Sequence, residues 1–393
     1  MHIYLDHNAG TPVRPAVREA IARLLREEHG NPASVHQSGQ RARRILEEAR
    51  EGVARLVGAP VRTIVFTSGG TESNNLAIFG AASAAQDRRR RIVSSSIEHS
   101  SVLAPLAELE RRGFEVVRVA PDRDGRVETA EVLMELDENT ALVTLGLANA
   151  EVGTTQDLAP IAAAAAGIGT AFHIDAAQAL GRIPVRVVEL GCDMMTLSGH
   201  KIGGPAGSGA LYVRAGAPLA AVILGGPQEA GLRAGTPNLV GAVGFGVAAE
   251  ELDRELGGEV ARVATLADTL LRRLRESIPG IRLNGPLAGR IPNTLNLTFP
   301  GVLGESMLIA LDLEGVEVSM GSACAAGAVE PSHVLLAMGR STDEARSSLR
   351  LSLGWSTTAE EIARAGEIIP RVWRRVAAAE PLAEAVPLAE AVR

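Results

Sequence analysis

Cysteine is nearly missing from this chain. Only Cys192 and Cys324 occur among 393 residues. They have no metal-ligand spacing, and a lone disulfide would be out of place in a reducing compartment, so each is read as a free thiol. No grouping of His, Cys and Asp points to a structural metal, and none is expected. Positive charge is also short. The formal net charge of −7 argues against a nucleic-acid binder working through a broad basic face. The one basic run, Asp87-Arg88-Arg89-Arg90-Arg91, is read as a solvated helix end before the apolar Ile92-Val93. No apolar run reaches the length of a membrane span, and the alanine-rich stretch from Ile161 to Ile168 is too short. Nothing at the start resembles a signal segment, so no membrane partner and a cytoplasmic location are expected.

What is present is a globular composition, with 46% apolar residues and a length that suits two domains. From about residue 60 to 215, short β-type runs alternate with helical stretches. The runs are Ile64-Val65-Phe66, Ile92-Val93, Val116-Val117, Leu142 to Leu145, Phe172-His173-Ile174, Met194 to Leu197 and Ala210 to Val213. Such alternation predicts an α/β fold whose sheet is largely parallel and covered by helices. Upstream, Ile45, Leu46, Ala49, Val53 and Leu56 recur at helical spacing. The pattern changes after about residue 240. Helical stretches at 239–256 and 259–276 lead to Thr294 to Phe299, which alternates like a half-buried strand, and later to the strand-like Leu349 to Leu353. This predicts a smaller α/β domain. Thr358 and Glu361 have capping-box spacing for the last helix. The tail repeats Pro381 to Val386 as Pro387 to Val392, too little for a solenoid, and reads as a frayed end, with a docking segment as the alternative.

The chemistry concentrates around Lys201, in Ser198-Gly199-His200-Lys201, and Asp175, in His173-Ile174-Asp175-Ala176-Ala177-Gln178. Each follows an apolar run, so both should emerge at the carboxyl edge of a sheet, where open α/β folds bind ligands. Thr67-Ser68-Gly69-Gly70-Thr71-Glu72 lies between a strand and a helical stretch. Free N–H groups there form an anion cradle; the plainer reading is a tight turn capped by Thr71. Ser198 and His200 add donors. A lysine, an acid and a phosphate site together are what pyridoxal 5′-phosphate (PLP) enzymes use. Arg350 suits a substrate carboxylate, or else a structural ion pair. His99 is either a site residue or an ordinary core histidine. Cys324 lies among small residues from Gly321 to Gly327, which suits a loop that moves. Its thiol needs activation to attack at neutral pH, and the alternative is a packed loop thiol. Cys192 reads as an inert buried thiol. His173 stands two residues before Asp175 and so on the same strand face, where it would support the acid. His36 reads as a helix-surface or interface residue, and His333, which follows the cysteine loop in sequence, as an ordinary residue, with contact to that loop the less favoured alternative.

The chain resembles the cysteine desulfurases of the NifS/IscS type, within the class V aminotransferase group. The matching motifs run nearly end to end. They include Tyr4 to Ala9, Gly30 to Ser34, Phe66 to Asn75, Glu98-His99, Glu151-Val152-Gly153, His173 to Gln178, Ser198 to Lys201, Gly235-Thr236-Pro237, Gly321 to Cys324 and Ser348 to Gly354. The resemblance implies a PLP-dependent transferase of fold type I, with a mainly parallel seven-stranded sheet, helices on both faces and a smaller α/β domain. It implies a homodimer, a large PLP-binding domain over 14–257, and a small domain from 1–13 and 258–393 that carries a mobile cysteine loop at about 319–331.

By the same resemblance, Lys201 carries the cofactor, Asp175 pairs with its pyridinium nitrogen and Gln178 binds the phenolic oxygen. His99 stacks on the ring and serves in proton transfer. Gly70, Thr71, Ser198 and His200 hold the phosphate, with Thr236 reaching in from the other subunit. Asn31 and Arg350 grip the substrate carboxylate. The implied reaction converts L-cysteine to L-alanine. Lys201 removes the Cα proton, and sulfur stays on Cys324 as a persulfide. It then passes to an acceptor, such as an iron–sulfur scaffold protein, for iron–sulfur cluster assembly or tRNA thiolation. The alternatives are a selenocysteine lyase or related PLP-dependent C–S lyase, and a non-catalytic scaffold that keeps the fold. Two positions depart from the family pattern: Ala150 stands where Asn is usual, and Gly10 where Thr is usual. A lost hydrogen bond to a charged group is worth roughly 1.5–3 kcal/mol, or about ten- to a hundredfold in rate or affinity. A slower, partner-dependent or altered-substrate enzyme is therefore expected.

Overall fold

A computed structural model describes residues 2–27, 30–85, 88–321 and 330–379. Cys324 and the repeated tail lie outside the described residues. The chain opens with β1 (Ile3–Tyr4), α1 (Pro15–Glu27) and α2 (Gln37–Val57). Leu46, Ala49, Val53 and Leu56 form the buried stripe of α2, as their spacing predicts. His36 caps that helix, its ring accepting from Gly39 N–H, and Gly58 ends it in the left-handed region at φ 67°.

Next come β2 (Ile64–Thr67), α3 (Gly70–Ala84), β3 (Arg91–Ser95), α4 (Ser100–Arg111), β4 (Glu115–Val119) and α5 (Thr129–Met134). They are followed by β5 (Thr140–Gly146), α6 (Ala159–Gly167), β6 (Ala171–Asp175), α7 (Val187–Leu190), β7 (Met194–Ser198) and β8 (Gly209–Val213). Each apolar run named above is a strand of one seven-stranded sheet, ordered β2-β8-β7-β6-β5-β3-β4. Only β8 runs antiparallel to its neighbours. Strand side chains alternate between two cores. Phe66, Val93, Val143, Phe172 and Met195 pack on the side of α2 and α6. Val65, Ile92, Leu142, Ala171 and Met194 pack on the side of α3 and α4. Both faces are thus covered, which is why the strands read as continuous apolar runs.

The basic run is not a solvated helix end. Helix α3 stops at Ala84, and Arg89 donates to the carbonyls of Thr140, Ile168 and Gly169. Arg91 lies on β3 and pairs with Glu115 of β4 at 2.8 Å. These arginines tie strand ends to turns that expose carbonyl oxygens.

Beyond β8 lie α8 (Leu239–Ser277), β9 (Arg282–Asn284), β10 (Thr294–Thr298), α9 (Gly304–Leu313) and β11 (Val316–Glu317). Then follow α10 (His333–Ala337), α11 (Thr342–Arg346), β12 (Ser348–Ser352) and α12 (Ala359–Ala379). The two predicted helices are one. Gly257 and Gly258 weaken a helix without ending it, and α8 is anchored on both sides of them, by Phe245, Ala248 and Leu252 in one core and by Val263, Leu270 and Leu274 in another. That second core also holds Ile3 and Leu5 with residues of α9, β12 and α12, so it draws on both ends of the chain.

Strands β12, β10 and β9 form a three-stranded antiparallel sheet. β10 is buried on both faces, not one. Its polar face is covered because Asn284 donates to Asn296 and Thr298 and Asn296 donates to the Glu151 carbonyl. The capping box of α12 has both arms, Glu361 N–H to Thr358 Oγ1 at 3.2 Å and Thr358 N–H to Glu361 Oε2 at 2.8 Å.

Candidate active site

The connections after β2, β3, β5, β6 and β7 leave the sheet at one edge and wall a cavity of about 570 Å³, the size of a small-molecule site. Lys201, Asp175, His99, Gln178, Ser198, His200, Gly70, Thr71 and Arg350 all line it.

Lys201 is the only lysine in the sequence. Its Nζ donates to the carbonyls of Asn8 and Ala9. Burial pushes the amine down to about 7, assisted by the Arg182 and Arg350 cations and opposed by Asp6 and Asp175. Arg182 is itself buried and donates to backbone carbonyls of Gln178, Leu180 and His7; burial lowers it to about 10. An amine brought to about 7 is roughly half neutral near neutral pH, and that neutral fraction is a nucleophile and a base.

Asp175 ends β6. Its Oδ1 accepts from Ala177 N–H at 2.9 Å and its Oδ2 from Asn74 Nδ2 at 2.8 Å. His173 does not support it. The His173 ring spans Thr144 on β5 and Thr196 on β7, at 2.8 and 3.0 Å. Residues two apart on a strand are roughly 6.6 Å apart, while neighbouring strands are about 4.8 Å apart. The cross-strand threonines therefore win.

The turn before α3 is held open by glycine. Gly69 has φ 154°, and a Cβ on Gly209 would sit 2.6 Å from the Gly69 Cα. That leaves the N-terminus of α3, at Gly70 and Thr71, facing the cavity. Ser198 Oγ and His200 Nδ1 are 3.0 Å apart. Burial and the Lys201 cation keep His200 down near 4, so it stays neutral. Gln178 Nε2 donates to the Asn8 carbonyl at 2.9 Å, and its Oε1 is buried without a partner.

Arg350, on β12, donates to Asp6 at 2.7 Å and to the Ala150 carbonyl at 3.3 Å, while its buried Nε has no partner. The ion pair and the open donor coexist. His99 faces the open cleft on one side. Protein around the rest of the ring lowers its pKa, against the pull of Asp175.

Two predicted residues lie elsewhere. Asn31 is exposed and its Oδ1 closes a turn on Ala33 N–H. Thr236, before α8, does not line the cavity of its own chain. Cys324 is outside the described residues, but Gly321 and His333, on either side of that segment, line the cavity. His333 Nε2 is 3.1 Å from the Glu98 carbonyl. Cys192 is buried, and burial pushes its thiol up to about 12. Among the described residues no grouping of His, Cys, Asp and Glu could hold a metal ion, and no helix is long and apolar enough to cross a membrane.

Sequence reading gave no role to Asn8, Asn74 or Glu98, although all three stand in the quoted motifs. Glu98 is buried beside Ser95 Oγ at 2.6 Å, and burial raises its carboxyl to about 7. Their signal was position beside motif residues, and only packing turns that into contact. Asn149 does not replace the side chain absent at Ala150. Its Oδ1 accepts from Glu151 and Val152 N–H, and its Nδ2 donates to the Ile97 carbonyl.

The chain matches the aminotransferase class-V family model over residues 3–365. It is 42% identical over 379 residues to the cysteine desulfurase IscS of Dictyoglomus turgidum, covering 96% of each chain. Among solved structures, a NifS-like protein superposes with a TM-score of 0.90 at 35% identity, covering 95% of this chain and all of that one. SspA, in complex with cysteine, gives a TM-score of 0.81 at 35% identity, over 90% of this chain and 99% of that one. With the predicted strands, the edge cleft and the lysine–aspartate pair on one scaffold, this chain belongs to the aminotransferase class-V family.

Proposed function

We propose that the chain is a PLP-dependent L-cysteine desulfurase of the cytoplasm. It would act as a homodimer and pass persulfide sulfur from Cys324 to an acceptor for iron–sulfur cluster assembly or tRNA thiolation. The observation that carries this is the sole lysine, held near neutrality on the Asn8 and Ala9 carbonyls, in one cleft with a doubly bonded Asp175. The residues fit PLP. The N-terminus of α3 with Ser198 and His200 suits a phosphate. Asp175 suits a ring nitrogen, Gln178 a phenolic oxygen, and His99 a ring face. When bound, PLP supplies an aldehyde that holds an amino acid and a ring that draws electrons from its Cα.

The chain's own residues do the rest. Arg350, with its free Nε, takes the substrate carboxylate. Asn31 is assigned to the same carboxylate on resemblance alone. Thr236 completes the phosphate site of the partner subunit. Lys201, brought down to about 7 so that much of it is unprotonated near neutral pH, accepts the Cα proton. The Cys324 thiolate attacks the substrate sulfur; an S–S bond forms as the Cβ–S bond breaks, and the carbon skeleton takes up protons to leave as L-alanine. The working division is a large domain over 14–257 and a small one from 1–13 and 258–393, with the continuous helix α8 running from one into the other.

Radiosulfur supplied as L-cysteine should label the wild-type protein and form alanine in step. Cys324→Ser should lose the label. Label that survives this substitution, or a protein that takes up no PLP, would sink the proposal.

A further inference from the structure

Between α3 and α4 lie two buried polar side chains, Asn74 and Ser101, which the roles above leave unused. They connect His99 to Asp175. Ser101 N–H reaches His99 Nδ1 at 3.1 Å. A backbone N–H only donates, so Nδ1 carries a lone pair and no proton. Ser101 Oγ is 2.7 Å from the same nitrogen, so its hydroxyl must donate as well. That hydroxyl then accepts from Asn74 Nδ2 at 2.8 Å. The second proton on Nδ2 goes to Asp175 Oδ2, also at 2.8 Å.

The far end fixes the direction independently. Turning the Asn74 amide over would set its Oδ1 against the Asp175 carboxylate, with no proton between two acceptors. In the orientation present, Oδ1 is buried without a partner. A hydrogen bond to an ionised carboxylate outweighs one unsatisfied neutral acceptor. Both ends therefore demand the same polarity.

We infer that Asn74 and Ser101 are positioning residues: one directional chain of hydrogen bonds holds His99 as the tautomer protonated on Nε2 and Asp175 as the carboxylate. This deepens, and rests on, the reading that His99 and Asp175 act on a bound cofactor. With Nδ1 occupied, Nε2–H is the ring position left for a group in the cleft. His99 thus enters the reaction as a donor, and Lys201 is the proton acceptor.

The test is nitrogen NMR of the full chain labelled with ¹⁵N-histidine, with His99→Gln identifying its signal among eight histidines. The wild type should show Nδ1 bare and Nε2 protonated. Ser101→Ala removes the hydroxyl donor but keeps the backbone N–H, so it should shift the Nδ1 resonance toward that of a less hydrogen-bonded nitrogen with Nε2 still protonated, while Ser101→Thr restores the wild-type pattern. Asn74→Ala should also weaken PLP binding about tenfold, the loss of one charge-assisted hydrogen bond. A wild-type proton on Nδ1, or a Ser101→Ala spectrum identical to wild type, overturns the inference. These tautomers are read without reference to turnover. A wild type that binds no PLP while keeping the Nε2–H form would fail the desulfurase reading and leave the hydrogen-bonded chain standing.

Discussion

Lys201 concentrates the electrostatics of the site. Its amine is pushed down to about 7, first by burial, against an ordinary value of about 10.4 in the unfolded chain. Between those values the unfolded chain binds more protons than the folded one. This group therefore makes stability rise with pH from about 7 to 10, and its cost is fully present below 7. Lys201→Met removes the charge. In urea unfolding of the cofactor-free protein, the substitution should be more stabilising at pH 7 than at pH 10, by about 3 kcal/mol. An equal effect at both pH values would contradict the depressed amine. Position 150 makes a second case. Asn149 is fully engaged with backbone groups, so no neighbour supplies the absent amide. Ala150→Asn is expected to raise kcat on L-cysteine about tenfold or more; unchanged steady-state turnover would remove that account of the departure.

At the scale of elements, the parallel strands were legible because both faces are buried and each reads as an unbroken apolar run. Element length was less legible. The glycine pair at 257–258 resembles a break, yet α8 passes through it. Both glycines are exposed, and an added Cβ would meet nothing within 4 Å. Gly257→Ala with Gly258→Ala should therefore stabilise the protein by about 2 kcal/mol, seen as a higher denaturant midpoint with unchanged slope. A lower midpoint would mean that the pair serves as a flexion point. The polar alternation of β10 was misread for a related reason. Alternation signals one wet face only when nothing polar packs upon it, and Asn284, Ser348 and Glu151 do so here.

For the whole molecule, the two ends of the chain meet at the cleft. Asp6 pairs with Arg350, and Asn8 bonds Thr294 and Asn293. Site and second core thus depend on closure of the full chain. If Thr236 completes the partner's site, subunits carrying Lys201→Ala and subunits carrying Thr236→Val should complement. Mixed dimers hold one intact site, so refolded mixtures should recover turnover that neither parent shows. Mixtures no better than the parents would place Thr236 in its own protomer.

Local chemistry was enough to read the strands, the glycine turn that opens α3 on the cleft, the lysine and aspartate at the sheet edge and the cap of α12, because each depends on residues close together along the chain. Packing alone decided what is contributed by distant ones. It set His173 on threonines across the sheet, gave Lys201 the Asn8 and Ala9 carbonyls, and joined Asn74 to Ser101 and Asp175. Hydrogen-bond partners and burial are properties of atoms that meet in three dimensions, and residue order does not encode which of several donors lies within 3 Å.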